Sequence, residues 1–278
     1  MTRIALYLSL LLLLSACGTL SRGGGYYEDD GPHDRPHVDI SKIPDAVPRS
    51  EPLSATGNKP YTVFGVAYQP LPSARGYRER GVASWYGKKF HGKRTSSGEA
   101  YDMYAMTAAH KTLPIPCYVR VRNLQNGRSV VVRVNDRGPF LHNRVIDLSY
   151  AAAARLDILA TGTGVVEVEA IDGDAPPTTL ARAVQVIPMA QAAEPEAEAL
   201  AAPKLAVQVG AFAQQDNAHT LRLRLEQAGL PVYIQPPTDG GVSLYRVRLG
   251  PIDNVEHGDR LIAEAARLGL SDAVIVVE

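Results

Sequence analysis

The chain is poor in cysteine: its 278 residues include two, Cys17 and Cys117. Cys17 belongs to an export signal, which leaves one thiol. One thiol can form neither an intramolecular disulfide nor a cysteine-based zinc site. Cys117 lies in a strand-like run and reads as a small core residue. An excess of charge is also lacking. Lys+Arg and Asp+Glu both number 29, so the formal net charge is +0, and no basic surface points to nucleic acid. His91, His110, Glu99 and Asp136 do not stand at tight metal-ligand spacing, so a metal site is set aside and no cofactor is expected. The longest apolar run, Ile4 to Leu14, is shorter than the roughly 20 residues that cross a bilayer as a helix.

That short run is the core of the export signal. Arg3 supplies the positive start, Ile4 to Leu14 the apolar stretch, and Leu14-Ser15-Ala16-Cys17 looks like a bacterial lipobox. Residues 1–16 then form a lipoprotein signal peptide, and Cys17 carries the lipid. Several acyl chains on one cysteine anchor firmly through their buried CH₂ groups. Gly18 stands where inner-membrane retention would typically show Asp, so an outer-membrane lipoprotein of a Gram-negative cell is expected, facing the periplasm.

The length allows about two domains. Residues 17–79 scatter Pro, Gly, Ser, Asp and Arg without periodicity and read as a flexible tether. Within it, Tyr61 to Tyr68 can form a short strand or dock on the next domain. Residues 80–171 form a first unit with a weak internal repeat. Its first half runs strand (Gly81 to Tyr86), loop, Tyr101-Asp102-Met103, short helix (Thr107 to His110) and strand (Tyr118 to Arg122). Its second runs strand (Ser129 to Asn135), loop, Ile146-Asp147-Leu148, helix (Ser149 to Leu156) and strand (Val165 to Ala170). Two such copies predict a closed six-stranded barrel with pseudo-twofold symmetry. Residues 172–203 are an Ala/Pro/Glu-rich linker. Residues 204–278 read βαββαβ, the ferredoxin-like arrangement. The fold class is thus mainly β plus α+β.

The chemistry centres on Val130 to Phe140. The β-branched run suits a buried strand, and Asn135-Asp136-Arg137-Gly138-Pro139 is turn chemistry. Asp136 has the parity of Val130, Val132 and Val134, so it falls at the rim of an apolar interior. Partial desolvation there favours the protonated carboxyl, as a general acid requires. The plainer alternative is a turn aspartate bonded to the Arg137-Gly138 backbone. Arg133 is turned to the opposite face, which leaves Arg137 as the cation able to lower the Asp136 pKa.

Four segments carry a family resemblance: GVASWYGKKFHGKRTSSGEAYDM, TAAHKTLP, RVNDRGPF and IDLSYAAAARL. Together they resemble the rare lipoprotein A family, which places a double-psi β-barrel behind a lipobox. AVQVGAFAQQDNA and YRVRLGP resemble a SPOR domain, a module that binds peptidoglycan at the division site. The resemblance implies an endolytic lytic transglycosylase acting in daughter-cell separation on septal glycan strands stripped of stem peptides. It cleaves the β-1,4 bond from N-acetylmuramic acid to N-acetylglucosamine, and the sugar's own C6 hydroxyl closes a 1,6-anhydro ring. The resemblance puts the family's acidic positions on Glu99 and Asp136 and its histidine on His110.

Each candidate has a plainer alternative. Glu99 can stabilise positive charge or hold substrate, or be a solvated loop residue. His110 can orient a carboxylate or be a satisfied structural histidine. Asp102 and Asp147, at matching places in the two halves, read as turn or cap residues. Trp85 and Tyr86 lie on opposite strand faces, one for the core and one to stack on a sugar. Arg137 is a further candidate substrate contact. In the last unit, alternation projects Gln208, Phe212, Arg246 and Arg248 from an open sheet face that suits a glycan. The expected partners are peptidoglycan, the membrane through Cys17, and division proteins, with the chain a monomer. The competing reading is a non-catalytic, expansin-like protein that binds and loosens the wall, since fold alone does not separate the two.

Overall fold

The computed structural model describes residues 30, 38–140, 143–171, 203–238 and 243–278. The signal peptide, Cys17 and all but the last residue of the 172–203 linker lie outside the described residues.

Residues 38–79, which composition reads as tether, are instead laid against the barrel. The Ala46 N–H donates to the Val131 carbonyl at 3.0 Å, and the Leu71 N–H to the Thr112 carbonyl at 2.7 Å. The Asn58 side chain donates to the Ile115 carbonyl (2.6 Å) and accepts from the Ile115 N–H (2.8 Å). Hydrogen bonds to barrel backbone hold this segment together with non-periodic apolar contacts of Ile40, Ile43, Ala46, Ala74 and Tyr77, which is why apolar periodicity gives no sign of it. Strands β1 (Tyr61–Val63) and β2 (Val66–Tyr68) form a two-residue hairpin whose Tyr61 and Tyr68 rings stack at 5.1 Å.

The barrel comprises β3 (Arg78–Tyr86), β4 (Thr107–His110), β5 (Cys117–Asn123), β6 (Ser129–Asp136), β7 (Arg144–Ser149) and β8 (Gly164–Ile171). Its closed order is β3-β7-β4-β6-β5-β8. Exchanging β3 with β6, β4 with β7 and β5 with β8 leaves that ring unchanged, which is the expected pseudo-twofold relation. Val130, Val132 and Val134 are buried in its core with Val119, Val121, Ile146 and Leu148.

The expected helix at Thr107 to His110 is strand β4. It lies between β6 and β7 and pairs with both. Four residues are too few for a stable helix, and two ladders outweigh alanine's helical preference. A helix forms only in the second half: α1 (Tyr150–Leu156), N-capped by Ser149, whose hydroxyl accepts from the Ala152 N–H at 3.3 Å.

The second unit runs β9 (Leu205–Phe212), α2 (Gln215–Gln227), β10 (Val232–Gln235), β11 (Tyr245–Ile252), α3 (Val255–Arg267) and β12 (Val274–Val277). Its antiparallel sheet has the order β10-β11-β9-β12, the ferredoxin-like arrangement expected. Val207, Leu249 and Ile275 pack with Leu221, Leu225, Leu261 and Ala265 of the helices.

One face assignment differs here. Gln208 pairs with Arg248 and Gly210 with Val247, so β9 spends two steps where β11 spends one. This bulge reverses the alternation beyond it. Ala211 now shares a face with Arg246, and Phe212 pairs with Tyr245 on the helix side. A Cβ on Gly210 would lie 2.9 Å from the Phe212 ring and 3.1 Å from Leu221, which places Phe212 over the core. Gln208, Arg246 and Arg248 remain on the other face. Arg248 is buried there, its Nη1 donating to Glu278 Oε1 at 2.6 Å.

Candidate active site

Three adjacent strands bring two carboxylates into one cleft. Ala109 of β4 pairs with Asp136 of β6 on one side and with Asp147 of β7 on the other. Residues directly opposite in a sheet share a face. The two aspartates therefore flank a methyl group, two strand spacings or about 9–10 Å apart at the backbone. The cleft they line encloses about 270 Å³, with walls that include Phe64, Trp85, Tyr86, Phe90, Arg137, Phe140 and Arg144. That is at the small end for a ligand pocket (roughly 300–1,000 Å³), so it suits the sugar at a reacting bond rather than a length of strand.

Asp136 ends β6. Its Oδ1 accepts from the Ser96 N–H (2.8 Å), the Ser96 hydroxyl (2.6 Å) and the Arg137 N–H (2.7 Å). All three bonds use Oδ1. The chain then turns through Gly138 at φ +137, a conformation that favours glycine. The Arg137 guanidinium directs its donors to the N-terminal wrap and the loop after β4. It donates to the carbonyls of Gly57 (2.9 Å), His110 (3.1 Å) and Leu113 (2.6 Å) and to Asn58 Oδ1 (3.2 Å). Arg137 thus ties the N-terminal wrap to the barrel while lining one edge of the cleft.

Asp147 is the site residue that sequence reasoning misses. Its expected place is a turn or cap, but Ser149 does the capping. Asp147 accepts from the Ser84 hydroxyl at 2.5 Å and lies 3.5 Å from Arg144 Nη1. Arg144 also donates to the Ser84 hydroxyl. Burial pushes the Asp147 carboxyl up, against the lowering pull of Arg144, Ser84 and Lys111. A charged residue at the centre of Val-Ile-Asp-Leu-Ser is the available signal: in a buried strand it needs a reason. Asp102, matched with Asp147 by sequence, lies outside the strands of the repeat, whose β7 corresponds to β4; it sits in a turn, where it accepts from the Tyr104 N–H at 3.0 Å.

Glu99 and His110 are not among the residues that line this cleft. Glu99 Oε2 accepts from Arg133 Nη1 (2.8 Å) and Asn135 Nδ2 (3.0 Å). β6 takes two steps, Val134 to Asp136, where β4 takes one, so a bulge at Asn135 brings Asp136 onto the face of Arg133 and away from that of Val134. The 95–99 loop clips this strand end: Ser96 bonds Asp136, and Glu99 bonds Arg133 and Asn135. Arg133 also makes a two-pronged bond to Glu51 at 2.9 Å each, which holds the Glu51 carboxyl down to about 2. His110 is buried, and its Nδ1 accepts from the N–H groups of Thr112 (3.1 Å) and Leu113 (2.9 Å). Two donors on Nδ1 leave the proton on Nε2, which bonds the Tyr77 hydroxyl at 2.8 Å. Tyr77 in turn bonds Glu79. Burial, with Arg137 and Lys111 nearby, pulls the His110 pKa down to about 3.

The aromatic pair divides as alternation requires. Trp85 is buried edge-on against Tyr150, with ring centroids 5.7 Å apart. Tyr86 follows the parity of Ser84 on the cleft side and packs on Tyr101 and Phe90. The β1–β2 hairpin adds a wall. Tyr61 and Tyr68 rest on Phe140, at 6.0 and 5.7 Å. Phe64, at the hairpin tip, is 87% exposed and lines the cleft.

A closed six-stranded barrel with a carboxylate-lined cleft, followed by a separate four-stranded α+β module, defines a two-module class of protein. Residues 78–170 match the family model described as lytic transglycolase, and residues 201–276 match the SPOR domain model. The chain is 43% identical over 303 residues to the endolytic peptidoglycan transglycosylase RlpA of Pseudomonas aeruginosa strain UCBPP-PA14, covering 90% of this chain and 88% of that protein. It is 53% identical over 178 residues to the protein of the same name from Vibrio cholerae serotype O1, covering 63% and 66%. A solved RlpA SPOR domain from Pseudomonas aeruginosa is 34% identical, covers 26% of this chain and 96% of its own, and superposes with a TM-score of 0.24. The chain belongs to the RlpA family.

Proposed function

We propose that the chain is an endolytic peptidoglycan transglycosylase whose chemistry takes place between Asp136 and Asp147. The observation that carries this is the pair of carboxylates flanking Ala109 inside an aromatic-walled cleft. A glycosidic bond breaks through an oxocarbenium-like transition state and needs a proton on the leaving oxygen. Asp136 is the acid/base. It protonates O4 of the departing N-acetylglucosamine as the C1–O4 bond breaks. It then takes the proton of the muramoyl C6 hydroxyl as O6 bonds to C1. Atoms balance without water, and the product is a 1,6-anhydro end. Asp147, when ionised, lends negative charge to the cation formed at C1.

The finer reading extends this to peptide-free strands at the division septum, with the SPOR module delivering the barrel there. Gln208 and Arg246 on its open face are the wall contacts. An anchor on Cys17 in the outer membrane, with the protein facing the periplasm, sets the reach. Support for this part is the lipobox-like sequence and the order of the modules. The decisive test is mass spectrometry of products from peptide-free strands, wild type beside Asp136→Ala. Anhydro ends that vanish in the variant establish the reaction. Reducing ends mean hydrolysis. Intact strands with undiminished binding leave an expansin-like binder.

A further inference from the structure

A third carboxylate lies in the cleft, and it belongs to neither half of the barrel. Asp30 is 6% exposed and lines the same cavity as Asp136 and Asp147. Its Oδ2 accepts from the Gly87 N–H at 2.7 Å and its Oδ1 from the Lys89 N–H at 2.8 Å. Both donors belong to the loop that leaves β3 directly after Tyr86. They are backbone groups, so they are fixed in place and can only donate. A backbone donor on each oxygen is the geometry that captures a carboxylate.

Three carboxylates line a cleft of about 270 Å³. A loop that holds the third one is built to bind that group. The bound group comes from 57 positions away in sequence, and no barrel strand supplies it. It can leave without unpairing the sheet.

We propose that the Gly87–Lys89 loop is a carboxylate-binding subsite of the active cleft, that it takes the free lactyl carboxylate of an N-acetylmuramoyl residue, and that Asp30 occupies it until substrate displaces it. The proposal rests on the transglycosylase reading and adds a reason for substrate choice. On a peptide-free strand the lactyl group ends in a carboxylate. A stem peptide converts it to an amide, which has one acceptor oxygen, no charge and a bulky continuation. The loop's two donors match the first and not the second. Exchange of Asp30 for the lactyl group replaces one carboxylate with another, so the charge around Asp136 and Asp147 is unchanged. Asp30 is therefore a competitor that weakens apparent affinity.

The test measures binding, free of cleavage, in the detergent-solubilised full chain carrying Asp136→Asn. That protein is compared with the same protein carrying Asp30→Ala as well. Three probes are used: peptide-free strands, the same strands with lactyl carboxylates capped as methylamides, and strands with intact stem peptides. The SPOR module is common to both proteins, so the ratio of their affinities reports on the cleft. Loss of Asp30 is expected to tighten peptide-free binding several-fold and to leave the capped strands unchanged. Asp30→Asn, which keeps the side-chain shape, is expected to behave in the same direction. An equal gain on capped strands, or no gain on any, overturns the subsite. An equal gain on stem-peptide strands assigns the loop to a peptide carboxylate and overturns the lactyl assignment. Failure of the transglycosylase reading looks different: wild-type protein leaves every strand intact while the contrast in binding persists.

Discussion

The two halves of the barrel share a strand plan and divide the chemistry. At the end of β3 the first half carries Tyr86, and at the end of β6 the second carries Asp136. On β4 the first half presents Ala109 to the cleft and turns His110 away. On β7 the second presents Asp147. The first half, with the hairpin laid on it, supplies apolar and aromatic surface. The second supplies ionisable groups. The small Ala109 side chain between them is what lets one sugar meet both carboxylates. An internal repeat that builds a symmetric barrel therefore leaves an asymmetric site, because one face of one strand is kept empty.

The sharpest way to break this division is Asp136→Ala. The expected loss is about 10²–10⁴-fold in kcat on peptide-free strands, the usual contribution of a positioned acid/base, while affinity for the strand persists. Retention of rate would take the acid/base role away from Asp136.

Asp147→Asn comes next, with a loss on the order of 10²-fold in kcat, as for removal of a preorganised electrostatic group. It also has a signature in its pH dependence. Burial raises the Asp147 pKa in the folded state. The folded protein then holds a proton that the unfolded chain has released, so stability falls as pH rises through that window. The ionised form that aids catalysis is likewise lost at higher pH than for an ordinary aspartate. The asparagine variant should therefore be slower, melt a few degrees higher at neutral pH, and lose the raised acid limb of the rate profile. Paired pH–rate curves and thermal melts check all three. A variant that is both slow and less stable would make Asp147 a structural residue.

Phe64→Ala probes the binding half. Phe64 sits at φ 50 beside Gly65 at φ 80. A left-handed phenylalanine costs roughly 1–2 kcal/mol relative to right-handed backbone, and its ring is left exposed. Stacking on a sugar gives that arrangement a use. The expected change is a roughly fivefold rise in KM with kcat unchanged, about the worth of one aromatic contact. A fall in kcat at constant KM would place the hairpin in the chemistry instead.

Much of this is legible in the sequence, for identifiable reasons. Strict alternation along Val130 to Val134 gives the buried strand as read, but Asp136 leaves that parity through a bulge at Asn135, which puts it on the cleft face with Ala109 and Asp147. The repeat predicts closure. The βαββαβ order comes from periodicity and Gly229. What is hidden depends on partners distant in the chain. Thr107 to His110 is a strand only because β6 and β7 lie on either side of it. Asp147 looks like a turn residue until Ala109 puts it opposite Asp136. Phe212 changes face through a bulge at Val209, which alternation cannot anticipate. Residues 38–79 look like tether because their hold on the barrel combines hydrogen bonds to backbone, the Glu51–Arg133 pair and scattered apolar contacts such as Ile40, Ile43 and Ala46, which leave no apolar period behind.

His110 gives the smallest expected effect on the rate profile and tests the division from the opposite side. If it acted on substrate as an ordinary histidine, kcat/KM would bend between pH 6 and 7, the range of a histidine near its unperturbed pKa of about 6.5. Its pKa of about 3 predicts no such bend. The ring instead satisfies the N–H groups of Thr112 and Leu113 and the Tyr77 hydroxyl. Because the folded pKa lies below the unfolded one, this stabilisation is complete above about pH 6.5 and drains away as pH falls toward 3. His110→Ala strands those donors and should cost about 1–3 kcal/mol at neutral pH, with denaturant melts reading the loss. A neutral-pH bend in the wild-type profile that disappears in the variant would return His110 to the catalytic side and give the first half a chemical role.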